Sequence, residues 1–95
     1  MKGNSLSDFI NDLLTMGGPE KEFQFREKKF FLETVFNKER ELNELYIIEC
    51  TSENPYIFRC FGKNFTDCVE QFEKARIFDG MTIYEAEREI EVLYG

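Results

Sequence analysis

Between Glu22 and Phe36 the large apolar side chains fall on alternate positions. Phe23 and Phe25 are separated by Gln24, and Phe30, Leu32, Thr34 and Phe36 alternate with Phe31, Glu33 and Val35. Successive side chains point to opposite faces only in extended backbone, so a period of two commits this segment to strands. A two-residue turn at Glu27 and Lys28 would fold it into a hairpin with position 25 opposite 30 and 23 opposite 32. One face then gathers Phe23, Phe25, Phe30 and Leu32. Neither Glu nor Lys readily takes the positive φ of the tightest hairpin turns, so the pattern sets the face more firmly than the register.

An apolar sheet face needs cover, and the flanking sequence supplies helices. Leu6, Phe9, Ile10, Leu13 and Leu14 recur every three or four positions, which predicts an N-terminal helix. Ser5 or Ser7 can cap it, and Gly17-Gly18-Pro19 ends it near Met16. The charged stretch from Asn37 to Glu44 reads as a solvated loop. Leu45 to Cys50 and Tyr56 to Phe61 read as two more strands, joined by a turn over Thr51 to Pro55. Asn64 and Asp67 suit a helix start before the stripe Phe65, Cys68, Val69 and Phe72, which should end near Arg76. Gly62, just before it, reads as relief of crowding between the last strand and this helix.

Asp79-Gly80 marks a turn, and Thr82-Ile83-Tyr84-Glu85 has the form of a capping box, opening a third helix with stripe Ile83, Ala86, Ile90 and Leu93 or Tyr94. Sequential strands with short connections usually pair as neighbours. The expected fold is one α+β domain over 1–95. It is a four-stranded antiparallel meander with one N-terminal and two C-terminal helices, in the order αββββαα. With 95 residues, 42% of them hydrophobic and including 11 Phe and 4 Tyr, the chain has enough apolar surface to offset the entropy of ordering it without a cofactor.

Several function classes are argued against by composition. A net charge of −7 repels nucleic acid unless a basic patch overcomes it, and the densest cluster, Arg26, Lys28 and Lys29, is interrupted by Glu27. The chain has no His, which removes the side chain best suited to proton transfer near neutrality and the commonest zinc ligand. Cys50, Cys60 and Cys68 lack the close pairing of zinc or redox sites, and their setting in strands and a helix stripe favours reduced, core-filling thiols.

No glycine builds a phosphate cradle. Glu85, Glu87, Glu89 and Glu91 offer too few carboxylates per helix face to chelate a cation. No catalytic, metal or cofactor-binding residue is assigned, and no small-molecule ligand, nucleic acid or membrane partner is expected. Met1-Lys2-Gly3-Asn4 leads directly into an amphipathic pattern without the apolar run of a signal peptide, so the expected compartment is cytoplasmic.

One feature of the sheet asks for a second explanation. The face opposite Phe23, Phe25, Phe30 and Leu32 would carry Phe31 and Val35, with Leu45, Ile47, Ile57 and Phe61 from the later strands and a cross-strand pair between Glu49 and Arg59. Either one helix crosses over to cover this face, or it is an interface. The interface account makes the chain a non-enzymatic protein–protein interaction or structural module, with a protein partner or a second copy of itself, anchored by Phe31, Val35, Ile47 and Phe61. The alternative is an acidic inhibitor that imitates nucleic-acid charge on a basic protein site.

The stretch from Tyr56 to Tyr94 resembles short proteins of Firmicutes to which no role is assigned. The resemblance rests on Phe65-Thr66-Asp67-Cys68-Val69-Glu70-Gln71-Phe72, on Ile77-Phe78-Asp79-Gly80-Met81-Thr82 and on the acidic closing segment. It implies a bacterial cytosolic origin.

Overall fold

The alternating segment is the centre of the molecule. In a computed structural model that describes residues 1–15, 20–50 and 56–94, β1 (Glu20–Phe25) and β2 (Lys28–Asn37) form an antiparallel hairpin, followed by β3 (Leu42–Glu49) and β4 (Tyr56–Gly62). The four strands pair in sequence as expected, and a fifth, β5 (Ile90–Tyr94), adds to the free side of β1, giving the order β4-β3-β2-β1-β5. Three helices accompany them: α1 (Leu6–Thr15), α2 (Phe65–Lys74) and the single turn α3 (Ile83–Ala86). The fold is α+β.

The first hairpin turns at Arg26-Glu27, one residue earlier than the sequence suggests, so that Phe23 faces Phe30 and Phe25 faces Lys28. Arg26 and Glu27 both take positive φ, 47° and 69°, the backbone of a turn that follows the natural strand twist. Arg26 is held there by remote groups. Its Nε and Nη2 donate to the two carboxylate oxygens of Glu89, each at 2.7 Å, and Nη1 donates to Asp79 at 3.2 Å. The hydrogen bond to Glu89 is the main cause raising the Arg26 pKa. Because the register moves by two, the face composition survives: Phe23, Phe25, Phe30 and Leu32 are all buried together.

All three helices contribute to the core on that face. Phe9 of α1 meets Phe23 edge-on at 6.0 Å, Phe72 of α2 lies 6.3 Å from Phe58, and Ile83 and Ala86 of α3 complete the cluster. The N-terminal caps form largely as the sequence indicates. Asn64 accepts from the Asp67 N–H at 2.9 Å, and Thr82 with Glu85 forms the reciprocal capping box. Gly62 is needed for the passage from β4 to α2, because a Cβ there would lie 2.5 Å from that of Asp67.

Between α2 and α3, Asp79 and Gly80 turn a two-rung bridge from Phe78 to Met81, which drives Phe78 into the core. Lys21, also on the core face, reaches Asp12 of α1 at 2.8 Å and lies over the Phe9 ring. The predicted stop of α1 and the Thr51 to Pro55 turn lie outside the described residues.

Three further expectations are corrected. The Asn37 to Glu44 loop is a tight turn between longer strands, with Glu41 at φ 54° and the Asn37 carboxamide accepting from the Arg40 N–H at 3.0 Å. The last segment is not one amphipathic helix: α3 gives way to a 3₁₀ turn over Glu87–Glu89 and then to β5. Ile90 and Val92 fit a period of two as well as a helical stripe, and pairing with β1 satisfies backbone groups that an edge would leave open. Lys2 closes the far side of β5, donating to Ile90 O at 2.9 Å and accepting from Val92 N–H at 2.8 Å. Cys50 is exposed at the end of β3, while Cys60 and Cys68 are buried as expected. No helix among the described residues is long and apolar enough to cross a membrane.

Candidate functional site

Among the described residues the helices leave one sheet face without helical cover. Cross-strand partners share a face, so the registers define its rows. One row runs Tyr56, Ile48, Phe31, Glu22; the next runs Arg59, Tyr46, Glu33, Glu20; a third runs Phe61, Glu44, Val35. Phe31, Val35, Ile48 and Phe61 are half-buried and Tyr56 is 57% exposed.

Of the six residues expected on this face, Phe31, Val35 and Phe61 are there. Leu45 and Ile47 are instead fully buried on the core side, opposite Thr34 and Leu32, and Ile57 packs against the core. Two causes account for the difference. Across the turn after Asn37, β3 presents Leu45 and Ile47 to the helices and Glu44, Tyr46 and Ile48 outward. A bulge then lets Ile47 pair with Phe58 and Ile48 with Tyr56, so Ile57 is the extra residue and the alternation of β4 is broken. Glu44 before Leu45 and Tyr46 between Leu45 and Ile47 were the signal for their burial. Nothing in the spacing marked the bulge.

The expected Glu49–Arg59 pair does not form, because Glu49 faces Phe30 on the core side. Arg59 instead donates from Nε to Glu44 at 2.7 Å. Glu44 is only 5% exposed on a face without helices, and it also accepts from Asn37 at 3.2 Å. Burial pushes its pKa up, but the hydrogen bonds from Arg59 and Asn37 and the charges of Arg59 and Arg40 more than reverse this and hold it below the ordinary carboxylate value. The same hydrogen bond raises Arg59.

The Arg59 guanidinium is flanked by rings, 5.3 Å from Phe61 and 6.0 Å from Tyr56, and Arg40 also lies over Phe61 at 4.6 Å. Tyr46 meets Tyr56 edge-on at 5.7 Å and donates its phenol to Glu33, and burial followed by that carboxylate raises the phenol's pKa. The face is therefore an aromatic surface crossed by one row of charged and hydroxyl groups, in which Tyr46 is bonded to Glu33 and Arg59 is tied to Glu44 of the next row.

Clefts among the described residues include two beside the helices. One of about 560 Å³ sits where β4 meets α2, beside Phe61, Lys63, Asp67 and Gln71. Two of its polar groups are engaged locally, Gln71 donating to Phe61 O at 2.8 Å and Asp67 accepting from the Lys63 N–H at 3.2 Å. The other, of about 420 Å³, is an apolar groove between Leu6, Ile10 and Leu14 of α1 and Tyr84. Neither brings a nucleophile together with a base. Among the described residues no group of three or more acidic or Cys side chains is placed to hold a metal ion.

The closing acidic segment presents no continuous anionic helix. Glu85 pairs with Arg76 at 2.9 Å, Glu89 with Arg26 at 2.7 Å and Glu91 with Lys2 at 3.3 Å, so the pattern that suggested charge mimicry is largely neutralised within the chain. Comparison with models of known protein families, with curated proteins and with solved structures finds no match to this chain.

Proposed function

We propose that this chain is a non-enzymatic protein-interaction module of the bacterial cytoplasm that acts through the helix-free face of its sheet. The observation that carries the reading is the pair of apolar rows on that face, Tyr56-Ile48-Phe31 and Phe61 with Val35, separated by an Arg59 already stacked between two rings. Tyr, Phe and Arg are the residues enriched in protein interfaces, where a rigid ring or a planar guanidinium contributes contact at low entropic cost. Arg59 is pre-ordered by Glu44, so a partner meets a side chain whose rotamer freedom has largely been lost beforehand.

The test compares capture from the native cell by tagged wild type, by Phe31→Glu and Val35→Glu on this face, and by Leu14→Glu in the α1 groove, each first shown to be folded by circular dichroism. Wild type and Leu14→Glu should retain the same protein, and both face variants should lose it. Identical capture by all four, or failure of wild type to retain any protein including an untagged copy of itself, refutes the reading.

A further inference from the structure

Resting on the interface reading above, we infer that the occupant of the helix-free face is a second copy of this chain, packed sheet on sheet about a twofold axis parallel to the strands and midway between β2 and β3. The inference comes from the order of residues within the rows. A twofold axis in that direction sets β3 of one copy against β2 of the other and β4 against β1, because it reverses the order of strands while preserving position along them. In the first row, Ile48 then meets Phe31 and the Tyr56 phenol meets the Glu22 carboxylate. In the second, Arg59 meets Glu20 and Tyr46 meets Glu33. In the third row the Glu44 carboxylate, already paired with Arg59, lies against Val35, so it is the first two rows that set apolar against apolar and Arg59 against an acceptor, and the twofold makes every pair twice.

Charge supports this axis over the perpendicular one. Arg59 and Arg40 lie beside β4 and the acidic groups Glu20 and Glu22 lie on β1, while Lys29, also on this face, stands opposite Gln24 beyond the first row. An axis across the strands would place β4 on β4 and Arg59 against Arg59, a like-charge contact that complementary interfaces avoid. Size sets the strength of the contact. Four strands spaced about 4.8 Å and three rows covering five residues at about 3.3 Å give a footprint of about 20 by 17 Å. That corresponds to about 700 Å² of accessible surface buried in total, below the size of stable interfaces, so the dimer is weak, reversible and concentration-dependent.

Sedimentation velocity and equilibrium over a concentration series supply the test. Wild type should pass from monomer to dimer. Glu20→Arg, at an exposed position away from the core, sets Arg against Arg59 twice and should weaken association by about tenfold or more. Glu70→Arg on α2, on the helical side, changes net charge by the same amount and should not weaken it. Arg59→Glu should likewise stay monomeric, and an equimolar mixture of Arg59→Glu with Glu20→Arg should recover a heterodimer, since both cross-pairs are then opposite in sign.

Should Arg59→Glu fail to fold, because it strips Glu44 of its cation, the contrast between Glu20→Arg and Glu70→Arg still decides the matter. A wild type that remains monomeric at millimolar concentration, or a Glu20→Arg that associates as well as wild type, overturns the inference. A monomeric wild type whose Phe31→Glu variant still loses a captured foreign protein would overturn the second copy alone and leave the interaction face standing. Loss of both would remove the face as well.

Discussion

Phe78 is the side chain through which a short turn, rather than a helix, seals the first hairpin, and its truncation tests that arrangement. It is fully buried, with ring centroids 5.4 Å from Phe25, 6.0 Å from Phe23 and 6.4 Å from Phe30. Phe→Ala in a core costs about 3 to 5 kcal/mol, depending on how far the site can collapse. Here the three facing rings stand on paired strands and cannot close the gap, and each aromatic pair adds about 0.5 to 1.5 kcal/mol beyond burial, which places Phe78→Ala at about 4 to 5 kcal/mol. A 95-residue chain has a total stability of about 5 to 14 kcal/mol, so the variant loses from about a third of it to nearly all.

Phe78→Leu, which leaves a smaller void, should cost about 1.5 kcal/mol. Phe36→Ala, whose ring is 57% exposed, should cost at most about 0.5 kcal/mol. Urea titration reads all three as shifts in midpoint at constant slope. A Phe78→Ala variant no more destabilised than Phe36→Ala would show that the turn is not seated on the hairpin, and with it the single-sided core would fail.

Two further predictions concern groups that titrate. Because Glu44 is held below its ordinary value of 4.5 by Arg59 and Asn37 against the effect of burial, its contribution to stability is complete above that value and is lost as pH falls through the folded pKa. Glu44→Gln should therefore melt below wild type at pH 7, with the gap closing on acidification below about pH 4.5; an equal gap at both ends of the Tm-against-pH curve contradicts this. Burial pushes the Cys60 thiol up to about 12 and raises Cys68 as well, whereas Cys50 is exposed. Iodoacetamide should alkylate the native chain at Cys50 alone, as read by mass spectrometry, and reach Cys60 and Cys68 only in urea; native labelling of either buried thiol at a comparable rate refutes it.

What could be read from the sequence was local. The alternation of Phe23, Phe25, Phe30 and Leu32 places these residues on one face whichever of two turn positions is used, because the two registers differ by an even number of residues. Asn64, Thr82 with Glu85, and Asp79-Gly80 cap and turn through atoms within a few residues of themselves, and those features stand as expected. What was hidden depended on distant groups. The Arg26-Glu27 turn looks unfavourable until Glu89 and Asp79, 63 and 53 residues away, are brought to Arg26. Five residues from Ile90 to Tyr94 cannot distinguish a strand from a helix, and the open edge of β1 makes the choice. On the candidate face, Phe31, Val35 and Phe61 were legible, while Tyr46 and Ile48 followed from the register that the turn after Asn37 sets, and Tyr56 from the bulge at Ile57, which a count of alternating residues passes over.

The polar row across this face bears on why a half-greasy sheet need not associate indiscriminately. A wholly apolar face would pack in many registers at similar free energy, which is the condition for slippage and aggregation. Here the row Arg59, Tyr46, Glu33, Glu20 lies between two apolar rows, about 7 Å away on either side, the distance of two residues along a strand. Sliding one copy by a single row breaks the twofold and sets the Glu33 carboxylate against Ile48, desolvating a charge with no new donor opposite it. The Glu44–Arg59 pair has a related effect within each copy. By neutralising a buried carboxylate it lets Phe61 and Val35 remain on an apolar surface without an unpaired charge between them. Specificity on such a face comes from the charges that a register shifted by one row would bury unpaired, as well as from how well the correct register fits.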